Sequence, residues 1–322
     1  MQARPQRARF ALWVIYPFIT AGSTVQLGIF YAVLAYSAWG LFPLFFKQIA
    51  AVNAFEVVLH RTVWSMVFVV LVLTVRRQWG WLSGAVRQPR VLATFAASAC
   101  LLGCNWVVYV WAVSNNHVLD ASLGYFILPL VNVAMGYALL HERPRRGQWV
   151  AVAVASGGVV WLAWQGGHVP WVALALALTF GVYGLLRKLA VLGALEGLTL
   201  ETLILTPLAA GVLLWWWQHG QGVLAAEPSL LWFWLVLAGP ITAVPLLLFA
   251  AGARRIPLST LGVLQYISPS LQLLLGVAVY GEPFSGARVL GFCLIWLALA
   301  IYSLEGWWWS RTVARKFRQN AV

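Results

Sequence analysis

The sequence predicts an all-α integral membrane protein: ten transmembrane helices in two inverted five-helix repeats, with both termini cytoplasmic. Three observations predict it. The 322 residues are 62% hydrophobic and only 9% charged, which is more apolar surface than a soluble domain of this size can hide behind a polar shell. The basic residues fall in alternate loops, and an internal similarity recurs at an offset of 140 residues.

Apolar runs of about 18 to 23 residues, each long enough as a helix to cross roughly 30 Å of hydrocarbon, fall in order near 26–47, 54–75, 91–113, 118–140, 147–166, 170–189, 196–217, 230–252, 258–280 and 286–305. The triple tryptophans at 215–217 and 307–309 stand at span ends and read as interfacial belts. Cys100, Cys104 and Cys293 lie inside spans with no second ligand cluster nearby, so buried packing is expected rather than a metal site or disulfide. Residues 1–25 hold three arginines and a short apolar patch resembling a signal peptide. Pro17 interrupts that patch and an extra crossing would reverse every later loop, so an uncleaved cytoplasmic or interfacial extension is expected. Residues 307–322 form a basic cytoplasmic tail.

Sidedness follows from the arginines and lysines. Arg4, Arg7 and Arg9 precede the first span; Arg76, Arg77, Arg87 and Arg90 follow the second; Arg143, Arg145 and Arg146 follow the fourth. Arg187 and Lys188 end the sixth, Arg254 and Arg255 the eighth, and Arg311, Arg315, Lys316 and Arg318 the tail, leaving Lys47, Arg61 and Arg288 elsewhere. Cytoplasmic loops carry this excess, so the net charge of +13 reflects topology and not nucleic-acid binding.

Shifting by 140 places Ile127 on Ile267, Pro129 on Pro269, Asn132 on Gln272, Gly136 on Gly276 and Glu142 on Glu282. Ala54 to Glu56 fall on Ala194 to Glu196, Tyr109 falls on Phe249, and Trp39–Gly40 match Tyr183–Gly184 at an offset of 144. Two homologous halves, 26–166 and 167–306, each hold five spans. Because five is odd, the second half enters from the opposite side, and the halves are inverted repeats, a ready device for alternating access.

In the fourth span Tyr125, Pro129, Asn132 and Gly136 share one face, as do Gln265, Pro269, Gln272 and Gly276 in the ninth. Amides facing lipid are costly, so these faces are expected to line a shared midplane cavity. The prolines and glycines read as kinks and close packing, and the amides have the alternative of bridging helices. The second span opens with Glu56, His60 and Arg61 in its outer third. These make either a structural ion cluster or an outer gate, with His60 able to titrate near neutral pH. Asn105, with Trp106 and Tyr109 beside it, and Asp120 at the outer end of the fourth span are further candidates, or helix glue and caps. No cofactor or metal is expected: there is no phosphate-binding glycine loop, no central carboxylate pair suited to sodium and no His/Asp cluster.

The segments AYSAWGLFPLFFK, EVVLHRTVWS, NWVVYVWAVSNNHVLDASLGYFILPLVNVAMG and LGVLQYISPSLQLLLGVAVYGE, with ERPRRGQW and VYGLLRK between them, resemble RarD-type proteins of the EamA-type branch of the drug/metabolite transporter superfamily from about residue 26 to 305. The resemblance implies a central cavity formed by the first four helices of each repeat. Its fifth and tenth helices, around Gly157, Gly158 and Gly291, would give support or dimer contacts. Carried onto this chain, the substrate path is expected at Trp39, His60, Arg61, Asn105, Tyr125, Asn132, Tyr183, Gln265, Tyr266 and Gln272, with Glu56, His60 and Asp120 as gate or proton-coupling residues. The expected function is an alternating-access permease of the bacterial cytoplasmic membrane, monomer or homodimer, exporting a small organic metabolite or amphipathic drug-like compound and not acting as an enzyme. Proton coupling and facilitated diffusion both suit so few central charges. The rival classes are an integral-membrane lipid- or isoprenoid-modifying enzyme, whose carboxylate or histidine cluster the scattered acids do not supply, and a scaffold or sensor without flux.

Overall fold

The computed structural model describes residues 24–115, 118–166, 170–225, 230–279 and 286–319. Up to residue 23 the N-terminal extension lies outside the described residues, as do Glu282 and the side chain of Asp120. Among the described residues ten helices are long and apolar enough to cross a membrane. They are α1 (Thr24–Ile49), α2 (Ala54–Val75), α3 (Pro89–Ser114), α4 (Val118–Leu140), α5 (Arg146–Gly166), α6 (Trp171–Leu189), α7 (Ala194–Gln218), α8 (Leu230–Ala253), α9 (Leu258–Ala278) and α10 (Ala287–Gln319). No strand occurs among the described residues.

Each helix closes its own backbone hydrogen bonds, the condition for crossing hydrocarbon, and the interruptions have local causes. In α1 the helix yields a turn at Leu41, whose N–H is shared between Ser37 O and Ala38 O at 3.1 Å each. It resumes with Pro43 in its first turn and ends in a 3-10 turn, Lys47–Ile49. Asn53 caps α2 by accepting from Phe55 N at 2.8 Å.

The paired prolines behave differently. Helix α4 runs unbroken through Pro129, whereas α9 is two helices, Leu258–Leu264 and Ile267–Ala278, joined at Gln265 and Tyr266. Pro269 has no N–H for the carbonyl of Gln265, which accepts instead from Ser268 N at 3.0 Å, and the Ser270 hydroxyl takes the Tyr266 carbonyl at 2.8 Å. Leu130, at the matching position of α4, has no such hydroxyl. At its other end α10 continues as helix to Gln319, beyond the expected tail boundary, since no proline or glycine follows Gly306 to stop it.

Packing joins the halves through like helices: α2 against α7, α4 against α9, and α5 against α10, with α2 also against α8 and α3 against α7. A pseudo-two-fold axis in the membrane plane relates these seams, as inverted repeats require. Ten crossings put the starts of α1, α3, α5, α7 and α9 on one face, which carries the arginines at 76, 77, 87, 90, 143, 145 and 146. The three cysteines are exposed on helix exteriors instead of packed inside. Facing lipid costs a thiol little, so apolar pattern alone does not bury it.

The α5–α10 seam depends on close approach. A Cβ placed on Gly158 would stand 3.2 Å from Gly291 O, and one on Gly291 would stand 2.6 Å from Leu162 Cγ, while one on Gly157 would meet nothing within 4 Å. Small residues at a crossing let apolar helices gain dispersion contact where no hydrophobic drive exists between them. We predict that Gly291→Ala lowers stability by about 1–3 kcal/mol, read as a lower unfolding temperature in detergent. Gly157→Ala should leave it unchanged.

Candidate functional site

Between the halves lies a cavity of about 180 Å³, small beside the roughly 300–1,000 Å³ of drug-sized pockets. Its walls come from α1, α2, α3, α4, α6, α8 and α9, so both repeats contribute. Phe42 and Phe46 near the end of α1, Arg61 in the first two turns of α2 and Leu176 early in α6 place much of its lining in the membrane half away from the arginine-rich face. Gln265, at the break of α9, reaches its depth.

Arg61 is the one charged side chain in the described lining. Its Nε donates to Thr242 Oγ1 at 2.9 Å, and its guanidinium carbon stands 5.7 Å from the Phe46 ring centre and 5.1 Å from that of Trp106. Cation–π contact and one fixed hydrogen bond hold it where water is scarce. Around it Tyr109 and Tyr125 pack edge to face at 6.4 Å. Below, Trp39 contacts Phe180 and Phe249 at 5.7 Å each, and Tyr183 stacks on Phe249 at 6.1 Å. These rings make an aromatic floor to the cavity.

Of the residues expected along a path, Trp39, Arg61, Asn105, Tyr125, Gln265 and Gln272 line the cavity. Two of them also serve as helix glue: Asn105 Nδ2 donates to Leu176 O (3.0 Å) and Thr179 Oγ1 (2.9 Å), and Gln272 Nε2 to Trp39 O (3.2 Å). Four lie outside the lining. Asn132 sits behind Gln265, donating to its Oε1 at a long 3.4 Å, with its own Oδ1 buried and without a partner. Tyr266 points the other way from Gln265, donating to Phe126 O at 3.2 Å. Tyr183, within that floor, is fully buried and does not reach the cavity, and buried His60 turns toward Glu56, its Nε2 3.8 Å from Glu56 Oε1. Glu56 accepts from Val223 N at 2.6 Å, tying α2 to the turn before α8. Pro129 and Gly262 form a crossing in which a Cβ on Gly262 would stand 2.7 Å from Pro129 O. Gly136, Pro269 and Gly276 are likewise absent from the lining.

Sequence reasoning did not single out Thr242, Ser268, Tyr36, Phe46 or Phe180, all of which line the cavity. Tyr36 and Phe180 could have been found together, since they correspond at the 144-residue offset already seen for Trp39 and Tyr183. Thr242 carries no such signal.

The arginine-rich side is sealed by bonds between the halves. Glu142, in the turn after α4, accepts from Leu258 N (2.6 Å), Ser259 N (3.0 Å) and Ser259 Oγ (2.8 Å), capping the start of α9. Deeper in, Glu201 of α7 is wholly buried. It accepts from Ser98 of α3, and Tyr183 Oη donates to it at 3.4 Å, while Arg187 Nη1 stands 3.6 Å away. The Arg187 guanidinium lies over Phe95 at 5.5 Å and donates to Ala194 O at 3.0 Å. At the 140-residue offset Glu201 is the counterpart of Arg61: one position of the repeat carries a cation lining the cavity and an anion in the sealed seam.

Comparison with known proteins adds the following. The model of the EamA-like transporter family matches residues 26–164 and again 169–304. A protein of Pseudomonas aeruginosa named as an uncharacterized transporter is 46% identical over 287 residues, 89% of this chain and 96% of that one. The protein RarD of Escherichia coli is 42% identical over 288 residues, 89% of this chain and 97% of that one. A solved crystal structure superposes with a TM-score of 0.67 at 21% identity, covering 88% of this chain and 97% of that one, and speaks for the fold alone.

The Arg187–Glu201 pair is fully desolvated, so removing one partner strands a charge. Arg187→Met should cost about 3–5 kcal/mol. The double variant Arg187→Met/Glu201→Leu should recover most of that in the same thermal-unfolding measurement in detergent.

Proposed function

We propose a function from one premise: this chain belongs to the EamA-like transporter family. It is a multi-pass membrane protein and a membrane transporter by that membership. Beyond it, the proposed mechanism is alternating access, in which the cavity holds a small organic metabolite or amphipathic drug-like compound and the halves exchange open and sealed roles. The single observation that carries this reading is a cavity lined by both repeats in the membrane half away from the arginine-rich face, with bonds across the halves at that face. A catalytic reading would need reacting groups converging in the cavity, whereas the described lining offers aromatic rings, amides, hydroxyls and one guanidinium.

The proposed setting is the bacterial cytoplasmic membrane with the arginine-rich face and both termini inside, on the distribution of arginine and lysine. In that orientation the cavity lies in the outer half of the membrane. Export is the direction that the sequence resemblance supports. Glu142, at the sealed face, acts as a latch: its three accepted hydrogen bonds have to break before α9 can part from α4.

Two experiments in liposomes test this. In a chain with Cys100, Cys104 and Cys293 replaced by alanine, a disulfide formed between Glu142→Cys and Ser259→Cys should cut solute flux at least tenfold, with recovery on reduction. Undiminished flux through the crosslinked protein would rule out alternation at this seam. Flux of the active solute is then compared with and without a pH gradient. If the gradient changes nothing and His60→Ala transports normally, proton coupling through His60 is excluded and facilitated diffusion remains.

A further inference from the structure

Arg61 is held in an unusual way for a lone cation. Its Nε is occupied by Thr242 Oγ1 at 2.9 Å, which fixes the guanidinium plane, and Phe46 and Trp106 lie against it. What remains is the pair of terminal nitrogens, a planar fork whose spacing matches the two oxygens of a carboxylate. No described acidic side chain lines the cavity to take that fork. A desolvated cation without a counter-ion is costly, and a ligand that supplies the anion relieves the cost.

From this geometry we propose that the cargo is a monoanion bearing one carboxylate on a flat aromatic or conjugated body, with the carboxylate on Arg61 and the ring between the aromatic walls. This deepens the transport reading and rests on it for the word cargo, though not for binding. Charge excludes near neighbours of that class. An amino-acid zwitterion brings an ammonium into a lining whose only described charge is also positive, and like charges in a poorly hydrated site repel. A phosphate ester brings two negative charges to one cation and leaves one uncompensated. A neutral amide fits the rings but leaves the guanidinium unpaired. The walls suit a flat ring because Trp106, Tyr109, Tyr125 and Phe180 offer π faces and edges with few rotamers to freeze.

The test is equilibrium binding to the purified full-length protein, with radiolabelled benzoate and indole-3-acetate as probes and benzamide, benzylamine, phenylalanine and phenyl phosphate as competitors. The expected result is saturable binding of at least one labelled carboxylate, with each competitor needing at least tenfold higher concentration than the unlabelled carboxylate to displace it. Arg61→Gln should weaken binding at least tenfold, and Arg61→Lys should weaken it less, since it keeps the charge and loses the fork. Thr242→Val, which leaves Arg61 in place but unlocks its plane, should weaken binding severalfold while the unfolding temperature stays near that of the parent, guarding against a variant that merely misfolds. Absence of saturable binding of both carboxylates overturns the proposal, as does equal competition by benzamide, phenylalanine or phenyl phosphate, or unaltered affinity in Arg61→Gln. Binding without any flux in liposomes would leave the site assignment standing and sink the transport mechanism. Flux of some solute without carboxylate binding would do the reverse.

Discussion

A charge carried into hydrocarbon finds no water, so it has either a partner from the protein or a place at the edge of a hole. That constraint sorts the ionisable groups of this molecule. Glu201 goes inward and gathers Arg187, Ser98 and Tyr183 around itself. Arg61 goes to the cavity, steadied by one hydroxyl and two rings. Glu142 reaches the end of a helix, where three donors without intrahelical partners await an acceptor. Each of the three groups joins elements of both repeats, so the polar interior and the joint between the halves are the same thing.

Apolar packing supplies what the polar groups cannot. The α5–α10 seam closes on facing glycines, with the Arg145–Glu305 pair at 2.8 Å near its end. The break in α9 falls at the depth of the cavity, where the Gln265 carbonyl, opposite Pro269, accepts from Ser268 N instead of from a residue four positions on. Irregular backbone at that depth is sustainable only beside protein or a cavity, and here it has both.

The span boundaries were legible because the thickness of hydrocarbon and the sidedness of arginine are one-dimensional signals. The reading 54–75 for the second span and 118–140 for the fourth coincide with α2 and α4. The site was only half legible. His60 and Arg61 are neighbours in sequence, yet a helix turns about 100° between them; one faces Glu56 and the other the cavity. Gln265 and Tyr266 part in the same way. Tyr125 and Asn132 do share a face, but seven residues of rise leave Asn132 below the floor of the open space and behind Gln265. Facing direction follows from neighbours, and neighbours come from the fold. The two matched prolines sit in helices of different form, one unbroken and one divided, and nothing in the proline pattern itself distinguishes them.

A duplicated chain with inverted halves would, if the copies were identical, have two resting states of the same energy and no sense of direction. The copies in this chain differ at many positions, and at one of them the charge changes sign, arginine at 61 in the first copy and glutamate at 201 in the second. The glutamate is locked into a buried network while the arginine lines the cavity. Under the proposed alternating access, such a mismatch would make the two arrangements unequal in energy and give the empty protein a side on which it rests.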